Sequence, residues 1–243
     1  MEFIATGAQA DLYKKNGKAI KLFKKNVPKQ DVEYEMKLQK MAFEIGLPVP
    51  IIYDVVEIDN KYGILMEFID GIPVGKMLLE NMNNIERYIN QSIEIQIEMN
   101  KITASNFPSM KEKLKRKINR VNILDNNKKQ NILEKLDKIM FKDNLCHGDF
   151  HVMNLLETPN GIKIIDWVDS SSGNSEFDVC RTYILYKESY EEISKIYLEN
   201  YCKKTNTIKE EILNIAPIVA TARLDEGFEE KHKILMEIIN NCE

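Results

Sequence analysis

Residues 147–167 constrain the fold of this chain more than any other stretch. His147-Gly148-Asp149-Phe150-His151-Val152-Met153-Asn154 is followed by two short apolar runs about Thr158-Pro159-Asn160-Gly161, ending in Ile164-Ile165-Asp166-Trp167. Runs of that length about a Pro-Asn-Gly turn read as a β-hairpin. Asp149 and Asn154 bracket one tight loop, and the hairpin returns Asp166 beside Asn154, so three oxygen-bearing side chains converge at one end of a β element. An amide with a carboxylate suits Mg²⁺, a hard cation that takes a few protein oxygens and completes its shell with phosphates and water. A second carboxylate set slightly apart suits a base that orients a hydroxyl towards a phosphoryl group. Any one of these residues alone would read as a cap or a turn; the joint pattern carries the chemistry.

The sequence on either side differs in texture. Before the motif, the first 70 residues are dominated by short strand-like runs, Leu12–Lys14, Lys18–Phe23, Ile51–Ile58 and Tyr62–Ile69, divided by turn signals at Asn16-Gly17 and Asp59–Gly63. Asn-Gly between two such runs predicts a type I′ hairpin. One helix, from about Asp31 to Ile45, interrupts them, with a stripe of Met36, Leu38, Met41, Ala42 and Ile45 and a stop at Gly46 and Pro48. After Gly71 the period lengthens: Ile85, Ile89, Ile93 and Ile97, then Met110, Leu114, Ile118 and Val121, then Ile132, Leu136, Ile139 and Met140 read as helix faces. The last 55 residues predict three more helical segments, with the Ile215–Ala220 run short and broken by Pro217. The fold class is therefore α+β: a small β lobe over residues 1–70 carrying one helix, then a mainly helical lobe over 71–243 with an embedded β-hairpin.

The motif resembles the catalytic and metal loops of the aminoglycoside phosphotransferase and choline kinase superfamily, relatives of the protein kinases. The resemblance implies a bilobal protein-kinase-like fold, a catalytic loop at 147–154 and a metal loop at 164–178. Asp149 is then the catalytic base, and Asn154 and Asp166 hold Mg²⁺. Gly173-x4-Asp178-Val179-Cys180 is similar to the family's G-x4-D-L-A, whose Asp supports the catalytic loop, with His147 packing inside that loop. The role of His151 stays open. Gly148 stands where protein kinases carry the Arg of H-R-D, which implies activity without phosphorylation control.

The resemblance also implies a nucleotide site in the first 70 residues, for ATP or GTP. Lys18-Ala19-Ile20-Lys21 is similar to the V-A-I-K strand whose Lys contacts the α- and β-phosphates. Glu35 is the expected partner of Lys21, because its spacing to Leu47-Pro48-Val49-Pro50 fits the family, with Glu33 as the fallback. Leu65–Gly71 resembles the hinge, in which Met66 lines the adenine pocket and the backbone of Glu67 and Ile69 meets the base. A G-x-G-x-x-G loop is missing: Thr6-Gly7-Ala8-Gln9-Ala10 has one Gly, and Thr6 or Gln9 is expected to help hold phosphate.

Charge is uneven along the chain, −1 over residues 1–70, +5 over 71–145 and −8 over 146–243, for −4 in all. The acidic balance argues against a nucleic-acid binder. Nine carboxylates, Glu188, Glu191, Glu192, Glu210, Glu211, Asp225, Glu226, Glu229 and Glu230, are candidates to draw in a cationic acceptor such as an aminoglycoside or amino alcohol. The basic Lys111–Lys117 stretch reads as a solvated helix. Four scattered cysteines, Cys146, Cys180, Cys202 and Cys242, form no CxxC pair, and no signal peptide or membrane-spanning run is visible, so a cytoplasmic protein without membrane partners is expected. The leading expectation is a Mg²⁺-dependent kinase of a small-molecule hydroxyl. The alternatives are an atypical Ser/Thr protein kinase, which Gly7–Ala10 and Val49–Asp54 resemble at a distance, and a catalytically silent kinase-fold binding protein.

Overall fold

The structure, a computed structural model, describes residues 1–240. Cys242 lies outside the described residues. Along the chain run β1 (Glu2–Thr6), β2 (Ala10–Lys15), β3 (Lys18–Phe23), α1 (Lys29–Glu44), β4 (Ile52–Ile58), β5 (Lys61–Glu67), β6 (Ile72–Pro73) and α2 (Val74–Glu80). Then come α3 (Ile85–Asn100), α4 (Met110–Arg120), α5 (Asn126–Asp137), β7 (Asn144–Cys146), β8 (Leu155–Thr158), β9 (Gly161–Ile164) and β10 (Ser171–Gly173). The remainder is helical: α6 (Ser175–Lys187), α7 (Glu191–Thr205), α8 (Lys209–Leu213), α9 (Ala216–Leu224) and α10 (His232–Asn240). Two compact units result, Met1–Glu80 with Val152–Asp169, and Asn81–His151 with Ser170–Glu243.

The first unit is an antiparallel sheet in the order β1-β2-β3-β5-β4 with α1 against it. Asn16 and Gly17 both take positive φ, 50° and 74°, as the type I′ turn between β2 and β3 demands. Val32 of α1 closes over Ala10, Phe23 and Ile64, and this core excludes water from one sheet face. Gly46, at φ 85°, ends α1, with its N–H on Phe43 O and Leu47 N–H on Ala42 O. The buried stripe of α1 is Val32, Glu35, Leu38, Gln39 and Ala42, so two polar side chains occupy positions that periodicity alone gives to apolar ones. Strand β1 was not anticipated: all five residues are exposed and it is an edge strand with a register shift between Phe3 and Ala5, which blurs alternation.

The β8–β9 hairpin belongs to this unit by contact, although it follows α5 in sequence. β6 pairs with β8, and Ile164 N–H donates to Pro48 O at 2.8 Å. Gly71 permits that approach, since a Cβ there would stand 2.9 Å from Glu157 O.

The second unit is mainly helical. α9 is buried from Ala216 to Ala222, and a helix buried all round needs neighbours on every side. Pro217 lies in its first turn, where a missing N–H costs nothing, so it starts this helix rather than breaking the run. Four α-helices, α7 to α10, occupy the described part of the last 55 residues, one more than the spacing predicts. In α3 the buried face is Ile89, Ser92, Ile93, Gln96 and Asn100 with Tyr88 and Met99, rotated from the four-residue isoleucine row. α5 stops at Asp137, and Met140, expected on its buried face, is 88% exposed. No helix among the described residues is long and apolar enough to cross a membrane.

Candidate functional site

In the first unit, a cavity of about 410 Å³ is bounded by β1–β2, β3, the 66–71 segment and the hairpin. Lys21, on β3, points into it and bridges two carboxylates, Glu35 Oε1 at 2.6 Å and Asp166 Oδ1 at 3.1 Å. The expected Glu35 is thus the partner that meets Lys21; Glu33, the fallback, pairs on the surface with Lys29 at 3.4 Å. Burial opposes the Lys21 charge, yet Asp166 and Glu35 outweigh it and raise its pKa above the ordinary lysine value. Glu35 moves the other way from most paired carboxylates: burial pushes its pKa up against the pull of Lys21. An ammonium held between two carboxylates in a half-dry pocket is poised to exchange them for phosphate oxygens.

Met66, Glu67 and Ile69 all line the cavity, as does Gln39. Glu67 N–H is committed to Ile51 O at 2.8 Å, so of its backbone groups only the carbonyl can serve a base. Gln39 donates to Pro50 O at 2.9 Å and holds the floor beside Met66. The β1–β2 turn is closed on itself. Thr6 Oγ1 donates to Asp11 at 2.6 Å and Gly7 N–H to Ala10 O at 2.8 Å. Thr6 lines the cavity; Gln9 lies instead at a separate cavity with Asp31 and Tyr34.

The metal-ligand candidates sit at the open end of the hairpin. Ile165 N–H donates to Asn154 O at 3.0 Å, which sets Asn154 next to Asp166 across the pair. Asn154 is buried, and Asp166 adopts a left-handed backbone, φ 67°, at about 1–3 kcal/mol of strain. Trp167, fully buried with Nε1–H on Ile164 O at 3.1 Å, anchors the segment that enforces this conformation. An amide and a carboxylate, both oxygen donors with room left for phosphate and water, fit Mg²⁺.

Asp149 belongs to the second unit. Its loop is gripped by α6, on which Asp178, Arg181 and Thr182 share a face. Asp178 accepts from Gly148 N–H at 2.7 Å, and Thr182 Oγ1 donates to Phe150 O at 2.8 Å. Asp178 is in turn held by Gln96 at 3.1 Å and Asn100 at 3.3 Å. His147 is fully buried; its Nδ1 accepts from Asp149 N–H at 3.3 Å and its ring meets Phe150 edge-on. Arg181 Nη2 lies 3.4 Å from Asp149 Oδ1 and His151 Nε2 lies 3.5 Å from Asp149 Oδ2. Burial opposes ionisation of Asp149, but His151 and Arg181, with His147 behind them, hold its pKa far below the usual carboxylate range.

Four of the nine carboxylates that suggested a cationic acceptor are engaged in ion pairs within the chain. Glu226 meets Arg181 at 2.8 Å, Lys117 at 3.0 Å and also Arg223. Glu188 pairs with Arg223 at 2.9 Å, Asp225 with Arg120 at 2.8 Å, and Glu191 with Lys195 at 3.0 Å. Glu192, Glu210, Glu211, Glu229 and Glu230 are exposed. The basic α4 face is matched as closely: Lys115 and Lys111 reach Asp137, and Lys113 donates to Ser170 O at 3.2 Å.

Residues 2–211 match the phosphotransferase enzyme family. The chain belongs to that family. This phosphotransferase is 27% identical over 202 residues to the EKC/KEOPS complex subunit BUD32 of Enterocytozoon bieneusi (strain H348), covering 78% of this chain and 81% of that one. Its fold is shared with choline kinase LicA of Streptococcus pneumoniae, at TM-score 0.64 and 16% identity over 99% of this chain and 93% of the other. It is shared too with a thermostable mutant of aminoglycoside phosphotransferase APH(4)-Ia in complex with ADP and hygromycin B, at TM-score 0.70 and 11% identity over 99% and 90%. The phosphotransferase thus has the α+β, protein-kinase-like fold that the motif implied. Sequence reasoning missed Gln39 and Arg181, and offered Glu226 only as an acceptor candidate. Gln39 carried a signal, a polar residue four after Glu35 on one helix face; the pairing of Arg181 with Glu226, far apart in sequence, carried none.

Proposed function

We propose that this phosphotransferase is a cytoplasmic, Mg²⁺-dependent kinase that moves the γ-phosphate of ATP or GTP to a hydroxyl of a small molecule. The observation that carries the reading is Lys21 bridging Glu35 and Asp166 in a cavity bounded by the 66–71 segment. In this reading Lys21 holds the α- and β-phosphates, the backbone of Glu67 and Ile69 meets the base, and Met66 packs beside it. Asn154 and Asp166 would hold Mg²⁺, which when bound neutralises charge on the β- and γ-phosphates. Asp149 accepts the hydrogen bond of the acceptor hydroxyl and orients it for in-line attack. A carboxylate held so acidic is a weak proton acceptor at the start of the reaction, which suits a loose transition state where the hydroxyl proton is lost late. The described cysteines, Cys146, Cys180 and Cys202, form no disulfide, which supports a reducing compartment.

A thermal-shift screen tests the reading: ATP and GTP with and without Mg²⁺, then aminoglycosides, amino alcohols and sugars. Nucleotide at 100 times Kd stabilises by about 2.7 kcal/mol. A Mg²⁺-dependent shift followed by phosphate transfer to one of these acceptors supports it. No nucleotide shift at millimolar concentration overturns it in favour of a silent binding protein. The BUD32 relative favours one further reading, transfer to a Ser or Thr of a protein, which a protein-substrate panel in the same assay separates.

A further inference from the structure

We infer that Arg181 is a positioning residue for Asp149 and that Glu226 fixes the orientation of Arg181. The inference rests on the proposed role of Asp149. The Arg181 side chain is only 12% exposed, and its guanidinium serves three groups at once. Nε donates to Gly148 O, Nη2 faces Asp149 Oδ1 at 3.4 Å, and Nη1 and Nη2 meet the two oxygens of Glu226 at 2.8 and 3.2 Å. The two-pronged contact with Glu226 sets the plane of the fork, which only an arginine provides. Glu226 is itself immobilised by Lys117 of α4 and Arg223 of α9.

The catalytic loop is therefore held from one side by a chain of side chains. Asp178 takes Gly148 N–H while Arg181 takes Gly148 O, so the two peptide groups flanking one residue are clamped by side chains one helical turn apart. Gly148 has φ 79°, and the clamp holds that turn and directs the next side chain, Asp149. The fork then rests against the Asp149 carboxylate and limits its rotation. Misplacing a reacting group by about 1 Å costs about a hundredfold in rate. Glu226, one of the candidates for drawing in a cationic acceptor, is thereby engaged by Arg181, Lys117 and Arg223.

The test uses the full chain with Mg²⁺ and ATP, water taking the place of the acceptor, and reads phosphate release in wild type, R181M, R181K and D149N. R181M is expected to lower kcat at least tenfold with the KM for ATP within twofold, and R181K to recover part of that loss. Hydrogen exchange across residues 145–151 is expected to quicken about tenfold in R181M and to be partly restored in R181K, a reading that needs no turnover. Wild-type kcat in R181M beside an inactive D149N overturns the positioning role and leaves the proposed function standing. Wild-type turnover in D149N overturns the proposed function and this inference with it. A KM that rises in step with the loss of kcat, unrelieved in R181K, marks general damage and overturns the positioning role. Where wild type releases no phosphate, the exchange arm decides: unchanged protection in R181M refutes the clamp, and a loss restored by R181K upholds it.

Discussion

Glu226 gives the most direct test of the ion-pair cluster beside the 147–151 loop. Burial pushes its pKa up, but Arg181, Lys117 and Arg223 outweigh burial and bring it from 4.5 down to about 2. A depression of about 2.5 units corresponds to about 3 kcal/mol of stability, at about 1.36 kcal/mol per unit. The sign follows from the direction. A carboxylate whose pKa is lower folded than unfolded contributes fully above the unfolded value and loses that contribution as pH falls through the folded one. Glu226→Gln keeps size and one acceptor but removes the charge, leaving three cations crowded together. It is expected to lose about 3 kcal/mol at pH 7, a fall in Tm of roughly 6–12 °C for a chain of this size. The wild-type advantage should hold down to about pH 5.5 and shrink progressively towards pH 2. Urea or thermal melts of both proteins from pH 7 to pH 3 measure it. The difference between them isolates Glu226, because every other carboxylate titrates in both. A gap as wide at pH 3 as at pH 7 would show that the loss is one of packing and refute the electrostatic account.

The site residues give three further expectations. Asp149→Asn should lower kcat by about 100- to 10,000-fold, the range for a positioned acid–base group, while the thermal shift given by nucleotide stays intact. Asp166→Ala should abolish the Mg²⁺ dependence of nucleotide binding and free Lys21 from its longer ion pair, read by titrating Mg²⁺ at fixed ATP. Glu35→Gln should weaken ATP binding about tenfold, equivalent to about 1.4 kcal/mol, because Lys21 then keeps only Asp166 as an anionic partner; calorimetry reads the change directly.

What the sequence discloses and what it hides divide along a physical line. Local rules place the Asn16-Gly17 turn, the stop of α1 at Gly46 and the hairpin that brings Asn154 beside Asp166, because each is set by neighbours in the chain. Lys21 and Glu35 lie 14 residues apart on a strand and the helix that packs on it, and the motif that resembles the family was needed to pair them. Charge arithmetic over a segment misses pairing with the rest of the chain. The −8 of residues 146–243 suggests an acidic face, yet Glu226 meets Lys117 across 109 residues and Asp225 meets Arg120, both cations from outside the segment. Net charge is a sum over a segment, whereas a field is a sum over distances, and ion pairs formed with cations outside the segment cancel in the second without cancelling in the first. The two polar residues on the buried stripe of α1 follow the same logic in reverse. Glu35 and Gln39 break an amphipathic pattern that needs apolar groups there, and both lie where a cavity rather than a core meets the helix. On α1, departure from periodicity at the buried face therefore marks the cavity wall against which Lys21 is held.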